Sequence, residues 1–94
     1  MDARELVAWN VRRLRVARGL AQEALAVDAS IDRTYVSRVE RNMENPTVAI
    51  LERLARALDV EIIELFAVPD AGATPPRILP KGRKASSRRD GSSI

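Results

Sequence analysis

Between Leu20 and Pro46 the apolar residues fall at Leu25, Ala26, Ala29, Ile31, Val36 and Val39, a spacing that fits two short helices joined by a tight turn. The first of these is predicted over about residues 22–28. The second runs to about Arg41, with Asp32 as its N-cap, because a carboxylate there accepts from the free amides two or three residues on. With the apolar set turned inward, Gln22, Arg33, Thr34, Ser37 and Arg38 are left pointing outward.

The flanking segments supply the rest of an all-α core. A helix from Asp2 or Ala3 to Arg18 places Leu6 or Val7, Val11 and Leu14 on one stripe, and Leu20 closes it after Gly19, a residue that tolerates the left-handed backbone of a helix end. Arg4, Arg12, Arg13, Arg15 and Arg18 surround that stripe and read individually as a solvated face. Beyond Asn42, Asn45 and Pro46, which break the pattern, Thr47 caps a helix with apolar positions at Val48, Leu51, Leu54, Ala55 and Leu58. After Asp59, the segment from Val60 to Phe66 reads as a short fifth helix with Ile62, Leu65 and Phe66 folded back on the core. No strand signal appears.

With 94 residues there is room for one domain, and a domain this small buries only roughly 60% of its unfolded surface. The sequence contains no Cys and no His, which removes disulfides, thiolate nucleophiles, imidazole bases and nearly every zinc or iron ligand set. No metal or cofactor is expected. No apolar run approaches the ~18 residues of a membrane span, and Met-Asp-Ala-Arg-Glu-Leu lacks the apolar centre of a secretion signal, so a cytoplasmic protein away from membranes is expected.

The net charge of +3 is unevenly distributed. Up to Ala67 there are 10 Arg against 11 Asp or Glu; from Val68 onward there are 6 Lys or Arg against 2 Asp. The chain therefore divides into a folded part, 1–67, and a basic Pro/Ser-rich tail, 68–94. The tail carries Pro69, Pro75, Pro76, Pro80 and a Lys/Arg/Ser run from Lys81, and such a composition is expected to stay disordered. It serves either to solubilise or to attract phosphate. Since the folded part is not basic overall, attraction to nucleic acid has to rest on where its arginines sit.

No nucleophile and base converge in this sequence and no Gly-rich phosphate loop occurs, so an enzyme is not expected. What stands out is a short helix with arginines and small polar groups on its free side, the arrangement with which proteins read the major groove of DNA. The ordered motifs Asn10-Val-Arg-Arg-Leu-Arg, Gly19-Leu-Ala-Gln-Glu-Ala-Leu-Ala, Tyr35-Val-Ser-Arg-Val-Glu-Arg, Asn45-Pro-Thr and Leu54-Ala-Arg-Ala-Leu-Asp-Val, then Glu64-Leu-Phe, carry a resemblance. Over about residues 6–66 the chain resembles the Xre/Cro-type, lambda-repressor-like helix-turn-helix family.

The resemblance implies a five-helix, sequence-specific DNA-binding transcriptional regulator that lays the helix from Asp32 to Arg41 in the major groove of double-stranded DNA. By position it makes Arg33, Thr34, Ser37 and Arg38 the base-reading residues, with at least one guanine per half-site, since Arg on guanine O6 and N7 is the commonest specific contact. For Arg33 and Arg38 the alternatives are solvated or phosphate-bound side chains. Gln22, Tyr35 and Arg41 are assigned to phosphate, and for Tyr35 the alternative is a side chain that covers the helix interface. Arg15 and Glu40 are implied as a structural ion pair that orients the reading helix. A homodimer on a palindromic site is implied, with Ile63 at the subunit contact; Trp9, also where a polar residue is usual, is unassigned. The alternative function is an antitoxin or anti-repressor module whose main partner is a protein.

Three departures from the family pattern bear on these assignments. Ser30 stands where Gly is usual in the turn, Ala21 stands where a capping Ser or Thr is usual, and Met43-Glu44 replaces a loop that is often basic.

Overall fold

The structure, a computed structural model, describes residues 1–70; the expected tail lies outside the described residues from position 71 on. Helix α1, Ala3–Ala17, starts at a reciprocal capping box in which the Glu5 amide donates to Asp2 Oδ1 at 2.9 Å and the Asp2 amide donates to Glu5 Oε1 at 2.8 Å. Helix α2 is Gln22–Ala29, and α3 is Arg33–Glu40, where Asp32 accepts from the Thr34 amide at 2.9 Å. Helix α4, Val48–Ala57, is capped by Thr47 Oγ1, which accepts from the Ile50 amide at 3.2 Å. A 3-10 helix, Ile62–Phe66, follows, and there is no strand among the described residues.

One device ends every α-helix. Gly19, Ser30, Asn42 and Asp59 take left-handed backbone angles, with φ of 70°, 59°, 58° and 59°. In each case the next amide reaches back to a carbonyl five residues earlier, as Ile31 to Ala26 at 2.9 Å and Met43 to Arg38 at 2.8 Å. The chain is thereby turned sharply four times within a span of residues too short for wide loops. Ser30 shows that the turn before α3 needs the left-handed conformation that the usual Gly supplies freely and a residue with a Cβ adopts at a cost.

The core forms where these turns bring the apolar stripes together. Val7 and Val11 of α1, Leu25, Ala26 and Ala29 of α2, Val36 and Val39 of α3, and Leu51, Leu54, Ala55 and Leu58 near α4 are all buried, joined by Leu65. Ile31 is only half-buried, at the edge of this cluster. Burial of each such leucine contributes about 1.5–3 kcal/mol, and α2 with α3 forms the pair of helices read from the central spacing. Helix α1 packs on α3 and on the 3-10 helix, which also meets α4.

Three expectations are corrected. The fifth helix is a 3-10 turn: its bonds run from Glu64 N to Glu61 O at 2.9 Å and from Ala67 N to Glu64 O at 3.4 Å, and so short a segment does not repay α-helix nucleation. Of its apolar residues Leu65 is fully buried and Ile62 partly so, but Phe66 is 37% exposed, because a three-residue period cannot turn all of them inward. Val48 is 70% exposed: as the first residue of α4 it stands before the helix reaches the core. No helix among the described residues is long and apolar enough to cross a membrane.

Asn10 is a polar side chain within the core, 1% exposed. Its amide donates to Leu65 O at 3.1 Å and Ala67 O at 2.8 Å, while its own oxygen accepts from Arg13 Nε at 3.1 Å. One side chain thus satisfies two carbonyls of the 3-10 segment and fastens it to α1.

Candidate nucleic-acid interface

The pattern of α3 gives it two unlike sides. Val36 and Val39, 0% and 2% exposed, fix the inner side against the core. On the outer side Arg33 and Thr34 are exposed, and Tyr35, Ser37 and Arg38 are half-buried. Among the described residues the Arg33 side chain makes no hydrogen bond or ion pair, so its guanidinium is available to a ligand.

A buried ion pair holds the inner side. Arg15 Nε donates to Glu40 Oε2 at 2.6 Å and Nη2 to Oε1 at 3.0 Å, while Nη1 donates to Leu20 O at 2.7 Å. The two side chains are 5% and 4% exposed. A guanidinium out of water requires acceptors, and here the turn before α2 and the end of α3 together supply three to an arginine of α1. Glu40 Oε1 also accepts from Gln22 Nε2 at 3.2 Å, which ties the first residue of α2 into the same network. Ala21, the N-cap of α2, offers no side-chain oxygen to the helix amides.

Arg38, in contrast, is held from the loop after α3. Its Nε donates to Glu44 Oε2 at 2.7 Å and its Nη2 to Met43 O at 3.3 Å, with the two side chains 40% and 27% exposed. Arg41, the C-cap residue, is exposed and donates from Nε to Ser37 O at 3.3 Å. Burial and, after it, the Glu44 carboxylate push the Tyr35 hydroxyl above its ordinary range, so it keeps its proton at neutral pH and is a donor. Ile63 is 71% exposed on the 3-10 helix, and Trp9 is half-buried on α1.

Two of these features escaped the sequence reading. Asn10 lies three residues after Val7 and next to Val11, and a polar residue inside an apolar stripe was the signal that a buried amide needed partners. The grip of Glu44 on Arg38 had no such signal, because it depends on the left-handed turn at Asn42 that returns the chain along α3.

Residues 11–65 match the family profile described as Helix-turn-helix. A hypothetical transcription factor from Neisseria meningitidis is 43% identical over 68 residues, which are 72% of this chain and 64% of the relative, so the chain spans just under two thirds of that protein. The crystal structure of the restriction-modification controller protein C.AhdI from Aeromonas hydrophila, 43% identical, covers 67% of this chain and 96% of its own, with a TM-score of 0.65. The controller protein C.Esp1396I, solved as a tetramer in complex with its natural 35-base-pair operator, is 33% identical over 70% of this chain and 87% of its own, also with a TM-score of 0.65. By its helix order, its turn before α3 and its match over 11–65, the chain belongs to the Xre/Cro-type, lambda-repressor-like helix-turn-helix family.

Proposed function

We propose that this chain is a sequence-specific DNA-binding transcriptional regulator that lays α3 in the major groove of a palindromic site. The observation that carries this is the outer face of α3. Arg33 and Thr34 stand exposed at the start of a helix whose far end is clamped from behind by Arg15 and Glu40. A rigidly held helix places guanidinium groups reproducibly, and reproducible placement is what bidentate contact with guanine demands. The similarity to a transcription factor and to controller proteins, one of them solved on its operator, supports the regulatory role.

Arg33 and Arg38 are assigned to base edges, with Thr34 and Ser37 beside them. Gln22, Tyr35 and Arg41 are assigned to phosphate, for which the protonated Tyr35 hydroxyl and the uncapped start of α2 are suited donors. A single half-site contacted by so few side chains gives modest affinity, so two copies act together on half-sites about 34 Å apart, one turn of DNA. Ile63 and Val68, 71% and 79% exposed, with Phe66 between them, support a subunit contact at this end of the fold. The site of action is the cytoplasm.

Selection of bound duplexes from a random pool, followed by salt titration, tests the proposal. The expected product is a palindrome with guanine in each half, and Arg33→Ala is expected to lose about 1–3 kcal/mol of discrimination at one base pair per half-site. Equal avidity for scrambled and selected duplexes at cellular ionic strength would overturn it. Ile63→Lys is expected to yield monomers in sedimentation equilibrium and to weaken binding to the full palindrome more than to one half.

A further inference from the structure

The loop between α3 and α4 does more than connect them. At Asn42 the backbone turns left-handed, Met43 N donates to Arg38 O at 2.8 Å, and the chain comes back alongside the last turn of α3. Glu44 is thereby set beside a side chain six residues earlier, and its Oε2 accepts from Arg38 Nε at 2.7 Å. Arg38 Nη2 also donates to the same loop, to Met43 O at 3.3 Å.

A guanidinium offers a purine two forks: a side fork that uses Nε, and an end fork made by Nη1 and Nη2. Nε has a single hydrogen, and Glu44 takes it. The side fork of Arg38 is therefore closed. Among the described residues Nη1 has no partner, and Nη2 keeps a second hydrogen, so the donors that remain for a base lie at the Nη1/Nη2 end. The carboxylate also places negative charge at the edge of the face assigned to DNA, where it lowers the attraction of this arginine to phosphate.

We infer that Glu44 is a positioning residue that sets specificity through Arg38: it holds the guanidinium by Nε so that only the Nη1/Nη2 end meets guanine O6 and N7, and its charge keeps that group from settling on backbone phosphate. The inference rests on the proposal that α3 reads DNA. Glu44 thus trades affinity for discrimination, and its effect appears at one base pair of each half-site rather than throughout.

The test uses the full chain, its selected duplex, and duplexes changed at each base pair in turn. Glu44→Ala is expected to reduce discrimination on the order of tenfold at the base pair that Arg38→Ala also affects, and at no other. Binding to unrelated duplex is expected to rise, with the plot of log affinity against log salt steeper by about 0.9, one added phosphate contact. Glu44→Gln keeps an acceptor oxygen for Nε, so it is expected to restore most of the discrimination while retaining the steeper salt dependence. In the Arg38→Ala background, Glu44→Ala is expected to change nothing further at that base pair.

Tighter binding of Glu44→Ala to the selected site with discrimination intact would overturn the inference, since Glu44 would then be a gate that withholds Arg38. So would a loss spread evenly over all base pairs, or equal losses in the Ala and Gln variants. If the wild-type chain selects a site and Arg38→Ala leaves every preference unchanged, this inference fails and the proposed function stands. If the wild-type chain selects no site, both fail.

Discussion

Helix α3 makes one ion pair on its inner side and one on its outer side, with nearly equal bond lengths of 2.6 Å and 2.7 Å. Arg15–Glu40 is out of water, with side chains 5% and 4% exposed, whereas Arg38–Glu44 is 40% and 27% exposed. The lengths do not distinguish them; the surroundings do. On the inside, Arg15 donates from Nε, Nη1 and Nη2 and its side chain is 5% exposed, so burial keeps it from a ligand and its role is to set the pose of α3. On the outside, water competes for the charges, the pair contributes little to stability, and an edge of Arg38 stays open. The same chemistry serves the fold in one place and recognition in the other.

That contrast predicts its largest effect at Glu40. Glu40→Ala strands the Arg15 charge in the interior and is expected to destabilise by about 3–5 kcal/mol, read as a lowered urea midpoint. Since a domain of this kind is stable by only about 5–15 kcal/mol, much of its margin would go. Replacing both partners, as Arg15→Met with Glu40→Leu, is expected to recover most of that loss. If the single variant melted like the wild type, the inner pair would be no different from the outer one.

Asn10→Ala probes a neutral counterpart of the inner pair. It leaves the Leu65 and Ala67 carbonyls without their donor, and a cost of about 1–3 kcal/mol is expected for each carbonyl that water does not reach. Exchange of the amides in 62–67 should quicken before the rest of the core responds; uniform exchange across the domain would count against a local clasp. Ser30→Gly works in the opposite direction. Relief of a left-handed serine is expected to exceed the entropy of the added glycine, for a net gain of about 0.5–1 kcal/mol measured by thermal melting.

The smallest expected change in stability belongs to the outer pair. Glu44→Ala is expected to shift unfolding by no more than about 0.5 kcal/mol, even as its base preference changes. A loss there comparable to that of Glu40→Ala would erase the distinction between the two sides.

The positions of the helices were legible because their signals are local. Asp32 and Thr47 announce two helix starts, and Gly19 an end, and each acts on amides or carbonyls only a few residues away. The inward set Leu25, Ala26, Ala29, Val36 and Val39 followed from period alone. The pairing of Arg15 with Glu40 came from family resemblance, because nothing in the spacing of two residues 25 apart says that they meet. Val48 and Phe66 misled for a related reason: being apolar says that burial would be favourable, and says nothing about whether the core extends that far.

By itself, then, the amino-acid sequence determined an all-helical chain, the register of its buried faces and the row of outward groups on α3. All of these follow from backbone capping and side-chain period within a few residues. Tertiary structure alone decided that Asn10 fastens a segment 55 residues further on, that the last element is a 3-10 turn, and that Arg38 is gripped at Nε by Glu44. These depend on where distant backbone arrives after four left-handed turns, and small changes in those angles move a hydrogen-bond partner in or out of reach.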